Sequence, residues 1–272
     1  MVIITGGIDL SVGSLIAFSA VVTTLLIRNA AGGESASGWA MLLACLAGIA
    51  ACAGVGAFSG AMVTLFEIPP FIATLGMMLV ASGLAYILAR GQSIYQVPAG
   101  FIWLGRGAVA GGLPVSVVLM ALLYVAAHLA MGRTTLGRHI YAVGGNAEAA
   151  RLSGVPVRRV LLVVYMVCGA LAGLGGVITA SQLKSGSPTY GLMYELYVIA
   201  AVVVGGTSLS GGQGRIFGTL IGAFVIAVIQ NGMNLKGVES YTQKVVLGLV
   251  ILGAVLFDVL KRRGLAVLGR KA

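Results

Sequence analysis

A chain of 272 residues that is 59% hydrophobic and 9% charged, with mean hydropathy +1.05, has too much apolar surface for one soluble interior. It reads as an all-α polytopic membrane protein, so the net charge of +10 marks membrane sidedness and argues against nucleic-acid binding. The positive charges gather in the interval 132–159 and in the tail Lys261-Arg262-Arg263.

Met1 runs directly into an apolar stretch with neither the basic region nor the cleavage site of a signal peptide, as though the chain starts partway through a span. Gly6-Gly7-Ile8-Asp9-Leu10-Ser11-Val12-Gly13-Ser14 interrupts it. The run that follows, 15–27, gives about 20 Å of helix against a hydrocarbon core of about 30 Å. Broken helices at membrane depth belong where they line a cavity or pack within protein. Asp9 is therefore a functional candidate, and it equally suits the N-cap of a helix beginning near Leu10.

A polar loop, 28–38, leads to spans at 39–66 and 71–88, divided by Glu67-Ile68-Pro69-Pro70. The first contains Gly56-x-x-x-Gly60, a spacing that lets helices approach closely. Residues 90–113 form a Gly-rich connection with Tyr95 and Trp103 as interfacial aromatics, and 114–131 is a further span.

The interval 132–159 carries Arg133, Arg138, Arg151, Arg158 and Arg159 against the single acid Glu148, the pattern of a cytoplasmic loop. Gly144-Gly145-Asn146 breaks the chain there, Asn146 caps a short helix at 147–152, and Ser153-Gly154 stops it. A short helix held between glycine breaks at the membrane face, with small residues such as Ala149, suits contact with a soluble partner.

The span 161–180 contains Gly169-x-x-x-Gly173; a polar stretch, 181–193, follows. A short apolar run, 196–204, ends in a glycine-rich segment from Gly205 to Arg215. Another span, 216–229, contains Gly218-x-x-x-Gly222, and after a polar 230–244 comes the last span, 245–260. The total is about eight spans and an N-terminal stub. Parity places 132–159, 67–70 and the C-terminus inside, with 28–38 and 90–113 outside.

Gly6-Gly7-x-x-Leu10-Ser11-x-Gly13 repeats as Gly205-Gly206-x-x-Leu209-Ser210-x-Gly212. A duplicated half and convergence of glycine-rich breaks both account for it, and the low complexity favours convergence. Gly211-Gly212-Gln213-Gly214 has no following Lys-Ser/Thr, which makes it a poor phosphate-binding loop. Cys45, Cys52 and Cys168 lie in apolar spans, the first two about 10 Å apart along a helix, and read as packing residues. His128 reads as a helix-end residue and His139 as an interfacial loop residue; no metal site or cofactor is implied.

TGGIDLSVGSLIA at 5–17, PPFIATLGMM at 69–78, LGRHIYAVGGNAEAARLSGVPV at 136–157, PTYGLMYEL at 188–196 and AVVVGGTSLSGGQGRIFGTLIGA at 201–223 run in order along nearly the whole chain. In them the chain resembles the permease subunit of bacterial ATP-binding-cassette (ABC) monosaccharide importers of the ribose type. The resemblance implies a single permease domain, 1–272, with the fold of vitamin and siderophore importers, working as a dimer with a second permease copy in the inner membrane. It implies a cytoplasmic ATP-binding-cassette subunit as the site of hydrolysis and a periplasmic sugar-binding protein as the donor. Gly144, Gly145, Asn146, Ala149, Arg151, Ser153 and Gly154 would belong to the element that fits a cleft of the ATPase. Asp9, Leu10, Ser11 and Glu195 would lie near the translocation pathway.

Two departures accompany the resemblance. Family members carry further spans ahead of the GIDLSVGS motif, so a misassigned start, a fragment or a first helix supplied from elsewhere is expected. Many relatives also place an acid where Tyr197 stands here, two residues after Glu195. A branched-chain amino-acid permease is the nearest rival reading, and the Asp-centred GIDLSVGS wording favours sugars over it. An ion-coupled secondary transporter would leave the 132–159 element unexplained, and a membrane enzyme would need a catalytic constellation that the sequence does not contain.

Overall fold

The computed structural model describes residues 1–109 and 111–269, with the side chains of 257–259 and 261–269 outside the description, so of the tail Lys261-Arg262-Arg263 only the backbone is described. Regular structure among the described residues is helical. A 3₁₀ turn at Ile3–Thr5 precedes α1 (Val12–Asn29); after a second turn, Gly33–Ser35, come α2 (Gly38–Leu65), α3 (Pro70–Ala89) and α4 (Ala99–Arg106). Then follow α5 (Val115–Arg133), α6 (Thr135–Gly145), α7 (Ala147–Leu152), α8 (Val157–Leu183), α9 (Tyr194–Val204), α10 (Ile216–Leu235) and α11 (Ser240–Gly269). Among the described residues α1, α2, α3, α5, α8 and α10 are long and apolar enough to cross a membrane; α9 and Ser240–Leu256 are shorter apolar helices. The eight expected spans thus divide into six and two.

Several boundaries differ from expectation. Residues 90–113 contain α4, and the polar 230–244 shrinks because α10 runs on to Leu235 and α11 starts at Ser240. His139 lies within α6, a helix that polarity concealed. Its apolar residues Leu136, Ile140 and Val143 recur at spacings of four and three, a helical signal in an otherwise polar stretch.

The centre of the bundle is an antiparallel seam between α2 and α8, made by their two Gly-x-x-x-Gly motifs. A Cβ on Gly56 would overlap the Tyr165 carbonyl oxygen, and one on Gly169 would overlap that of Cys52. Gly60 lies against Leu162 and Tyr165, and Gly173 against Ile49 and Cys52. In lipid, helices associate through packing and hydrogen bonds rather than hydrophobic exclusion, so close backbone approach is where their affinity arises. Buried hydroxyl and thiol groups add to it: Ser19 Oγ donates to Gly173 O (2.7 Å) and Cys52 Sγ to Leu15 O (3.3 Å).

The chain between α8 and α9 turns back into the bundle. Gly186 lies against Ala20 and Thr24 of α1, and Gly191 against Gly13 and Ile16. Those contacts are eleven residues apart on α1, from Thr24 to Gly13, or about 16 Å of helix. Hence α9 starts within the depth of the bundle and explains its own shortness. Irregular backbone at that depth is buried in protein: Ser185, Ser187 and Gly191 are buried, and Ser185 Oγ meets Tyr190 Oη at 2.5 Å.

At the same end as Gly186, which exchanges backbone bonds with Ile94, α4 is clamped to α8. The buried Ser181 Oγ accepts from Gly105 N–H (2.6 Å) and donates to Phe101 O (2.6 Å). Ser181→Ala removes both bonds and orphans a buried N–H, at a cost of about 2 kcal/mol. Hydrogen exchange should then quicken in 99–106 and leave the α2–α8 seam unchanged; equal exchange in α4 would show that the clamp contributes nothing.

Candidate coupling and translocation site

The polar interval 132–159 folds as two helices meeting at a single residue. Asn146 (φ −159°, ψ 105°) ends α6 and caps α7, its Oδ1 accepting from Ala149 N–H at 2.9 Å. The expected break at Gly144 and Gly145 is therefore corrected: both glycines are helical residues of α6, and the chain turns only at Asn146. The stop after α7 is as expected, with Gly154 at φ +83° and Ser153 Oγ donating to Ala149 O (2.9 Å).

One face of α7 is buried and the other is free. Ala150 packs in one apolar cluster with Val2, Ile4, Ile140, Val143, Val160 and Tyr165. Ala149 is exposed, Leu152 is 77% exposed, and Glu148 and Arg151 form an exposed ion pair at 2.6 Å. Arg151 holds the Glu148 carboxyl below its usual range by donating to it. An apolar leucine beside an ordered ion pair on a short capped helix forms a projecting contact surface.

At the end where it joins α7, α6 meets two glycine-rich breaks. Gly212 N–H donates to Ile4 O (2.8 Å), and Gly144 is wedged beside that bond. A Cβ there would overlap Ile4 O and lie 2.6 Å from Gly212 N. Tyr141 Oη donates to Gly214 O at 2.8 Å. The two breaks that share the Gly-Gly-x-x-Leu-Ser motif are thus neighbours. Each opens on a helix stop with a left-handed glycine: Gly6 (φ +79°), with Gly7 N–H on Val2 O, and Gly206 (φ +82°), with Thr207 N–H on Val202 O. These stops are one residue out of register with the sequence match, and Gly13 is helical where Gly212 has φ +72°. That mismatch fits convergence on one helix-stop chemistry.

Asp9 does not cap a helix starting near Leu10, because α1 starts at Val12. Its Oδ1 instead accepts from Ser11 N–H (2.9 Å) and Ser11 Oγ (2.6 Å), closing a local turn. Asp9 is 7% exposed, Oδ2 has no hydrogen-bond partner, and the residue lines a largely apolar cavity of about 430 Å³ among α5, α8, α9 and α10. Ser11 is fully buried and serves to hold Asp9, while Leu10 is half-buried. Glu195, in the first turn of α9, is placed elsewhere: its carboxylate abuts Gly13 in the first turn of α1. A carboxylate against a helix N-terminus is electrostatically favoured. The α1 and α9 starts therefore meet at Gly13, Gly191 and Glu195, and the structure brings Ser11 to Asp9 but not Glu195 to that pair.

Sequence reasoning missed Tyr141, Tyr165, Ile4 and Gly212 as parts of this region. Tyr165 is fully buried, its hydroxyl unpartnered against Gly7. An aromatic inside an apolar span carries no signal of that contact, and Ile4 and Gly212 act through backbone atoms.

A glycine-stopped bundle of this kind, with interrupted helices among six that are long and apolar enough to cross a membrane, is that of a multi-pass membrane protein. The chain belongs to the family described as branched-chain amino acid transport system / permease component, whose profile matches residues 1–255. Among its relatives, the ribose import permease protein RbsC of Escherichia coli (strain K12) is 44% identical over 265 residues, 95% of this chain and 79% of that protein. The D-allose transport system permease protein AlsC of the same strain is 37% identical over 256 residues, 94% and 76% of the two chains. The probable ABC transporter permease protein y4mJ of Sinorhizobium fredii (strain NBRC 101917 / NGR234) is 39% identical over 258 residues, 95% and 75%. No solved structure matches.

Proposed function

We propose that this chain is the transmembrane subunit of an ABC importer that carries a monosaccharide across the bacterial inner membrane. The carrying observation is the α6–α7 element: a capped, projecting helix whose inner face packs into the membrane bundle and whose outer face is free. The relatives named for ribose and D-allose favour a sugar over a branched-chain amino acid as cargo. In this reading α7, with Asn146, Ala149, Arg151, Ser153 and Gly154, docks on a cytoplasmic ATP-binding-cassette subunit that performs the hydrolysis. A periplasmic sugar-binding protein delivers cargo to the opposite face, a second permease copy completes the pathway, and the fold is that of the vitamin and siderophore importers. Asp9, positioned by Ser11, and Glu195 flank the starts of the interrupted helices α1 and α9, where intramembrane carboxylates mark substrate routes.

Orientation and partner are tested together. A cysteine replacing Asn146, with Cys45, Cys52 and Cys168 changed to serine, should react with a membrane-impermeant maleimide in inside-out vesicles and not in right-side-out ones. A cassette ATPase co-expressed with the parent chain should co-purify with it. Labelling from the outside, or no retained ATPase, would count against this reading.

A further inference from the structure

Three backbones meet at the C-terminal end of α6, where it joins α7, and no side chain separates them. Gly144 of α6 lies against the Ile4 carbonyl and the Gly212 amide, which are themselves hydrogen bonded at 2.8 Å. Gly211 completes the contact, since a Cβ on it would lie 3.0 Å from Gly6 N and 3.1 Å from Gly6 Cα. Five residues beyond Ile4 is Asp9, and four residues beyond Gly212 α10 starts. The segments on either side turn sharply at left-handed glycines, Gly6 on one and Gly206, Gly211 and Gly212 on the other, so both breaks begin at the junction itself. The body between the outer contact surface and this junction is stiff: α7 is capped by Asn146, and Ala150, Ile140 and Val143 share one buried cluster.

We propose that this Ile4–Gly144–Gly212 junction is the point where displacement of α6–α7 passes into the membrane, moving the Asp9 break and the α9–α10 connection together. Gly144 and Gly212 are positioning residues in transport, acting through backbone contact; Tyr141 is a second tie, through its bond to Gly214 O. Side-chain contacts yield by rotamer change, whereas touching backbones pass on a displacement directly. The inference rests on the functional reading above and assigns the coupling route within it.

Two helical glycines provide the test. A Cβ on Gly144 drives the three backbones apart, whereas a Cβ on Gly83 of α3 meets nothing within 4 Å. Parent, Gly144→Ala, Gly83→Ala and Tyr141→Phe are each reconstituted with the cassette ATPase and a sugar-binding protein. ATPase binding, hydrolysis and sugar moved per ATP are measured. Gly144→Ala should retain binding and hydrolysis with sugar per ATP reduced on the order of tenfold, while Gly83→Ala matches the parent. Tyr141→Phe, which adds no atom, should lower the ratio about threefold with binding intact. It is read whether or not Gly144→Ala folds. A parent-like ratio in Tyr141→Phe, or in folded Gly144→Ala, overturns the proposal. A parent that binds no cassette ATPase would sink the functional reading instead.

Discussion

Ala149→Trp is expected to abolish docking of the cassette ATPase while the permease folds as before. Ala149 is exposed on the free face of α7, one residue from the buried Ala150, so an indole there points away from the bundle. The helix is only six residues long and is held by the Asn146 cap and the Gly154 stop. It cannot rotate to hide the added bulk without breaking them. A cleft shaped for a narrow alanine face would lose on the order of 100-fold in affinity, about 2.7 kcal/mol. Ala150→Trp provides the contrast, because it overfills the cluster of Val2, Ile4, Ile140 and Tyr165 and should lower folded yield. Binding of the ATPase to detergent-solubilised permease measures the first effect and thermal unfolding the second. Parent-like binding by Ala149→Trp would remove α7 from the interface.

Gly169→Val should be the most damaging single change to the fold. Its Cβ would overlap the Cys52 carbonyl oxygen and lie 3.2 Å from Gly56 Cα, so relief requires α2 and α8 to separate along the seam. Overpacking of this kind costs about 3 kcal/mol, and separation also loosens the packing of Gly60 and Gly173 on either side. Gly175→Ala, six residues along α8, is the control: its nearest new neighbour is Ile16 Cγ1 at 3.8 Å, ordinary contact. Thermal unfolding in detergent should drop sharply for Gly169→Val and stay at the parent value for Gly175→Ala. Equal stability of the two would mean that the seam is not a determinant of the fold.

The parts legible in the sequence were those written in periodicity, composition and caps. Both Gly-x-x-x-Gly motifs of the seam, the bounds of α7, and the Asn146 cap were readable because spacing and residue type determine them directly. What escaped was written in tertiary contact. α6 was read as loop because arginines and glycines masked its apolar stripe. Gly144 looked like a flexible break, yet it is helical and small for the sake of Ile4 and Gly212, partners far away in sequence. Asp9 was recognisable as a buried acid in a helix break, whereas its actual partner, Ser11, followed only once α1 was seen to start at Val12. The inward return of residues 184–193 reads in the sequence only as a polar stretch, since the hydroxyls within it satisfy one another on burial.

The central claim, ATP-driven sugar import engaged through α7, is tested most directly by uptake into vesicles. Permease, cassette ATPase and sugar-binding protein are reconstituted with ATP on the α7 side and labelled ribose with the binding protein on the other. Ribose should accumulate with ATP and fail to accumulate with a non-hydrolysable analogue, without the binding protein, or in Ala149→Trp. Accumulation driven by a proton or sodium gradient in the absence of ATP, or ATP-driven uptake undiminished by Ala149→Trp, would contradict the account.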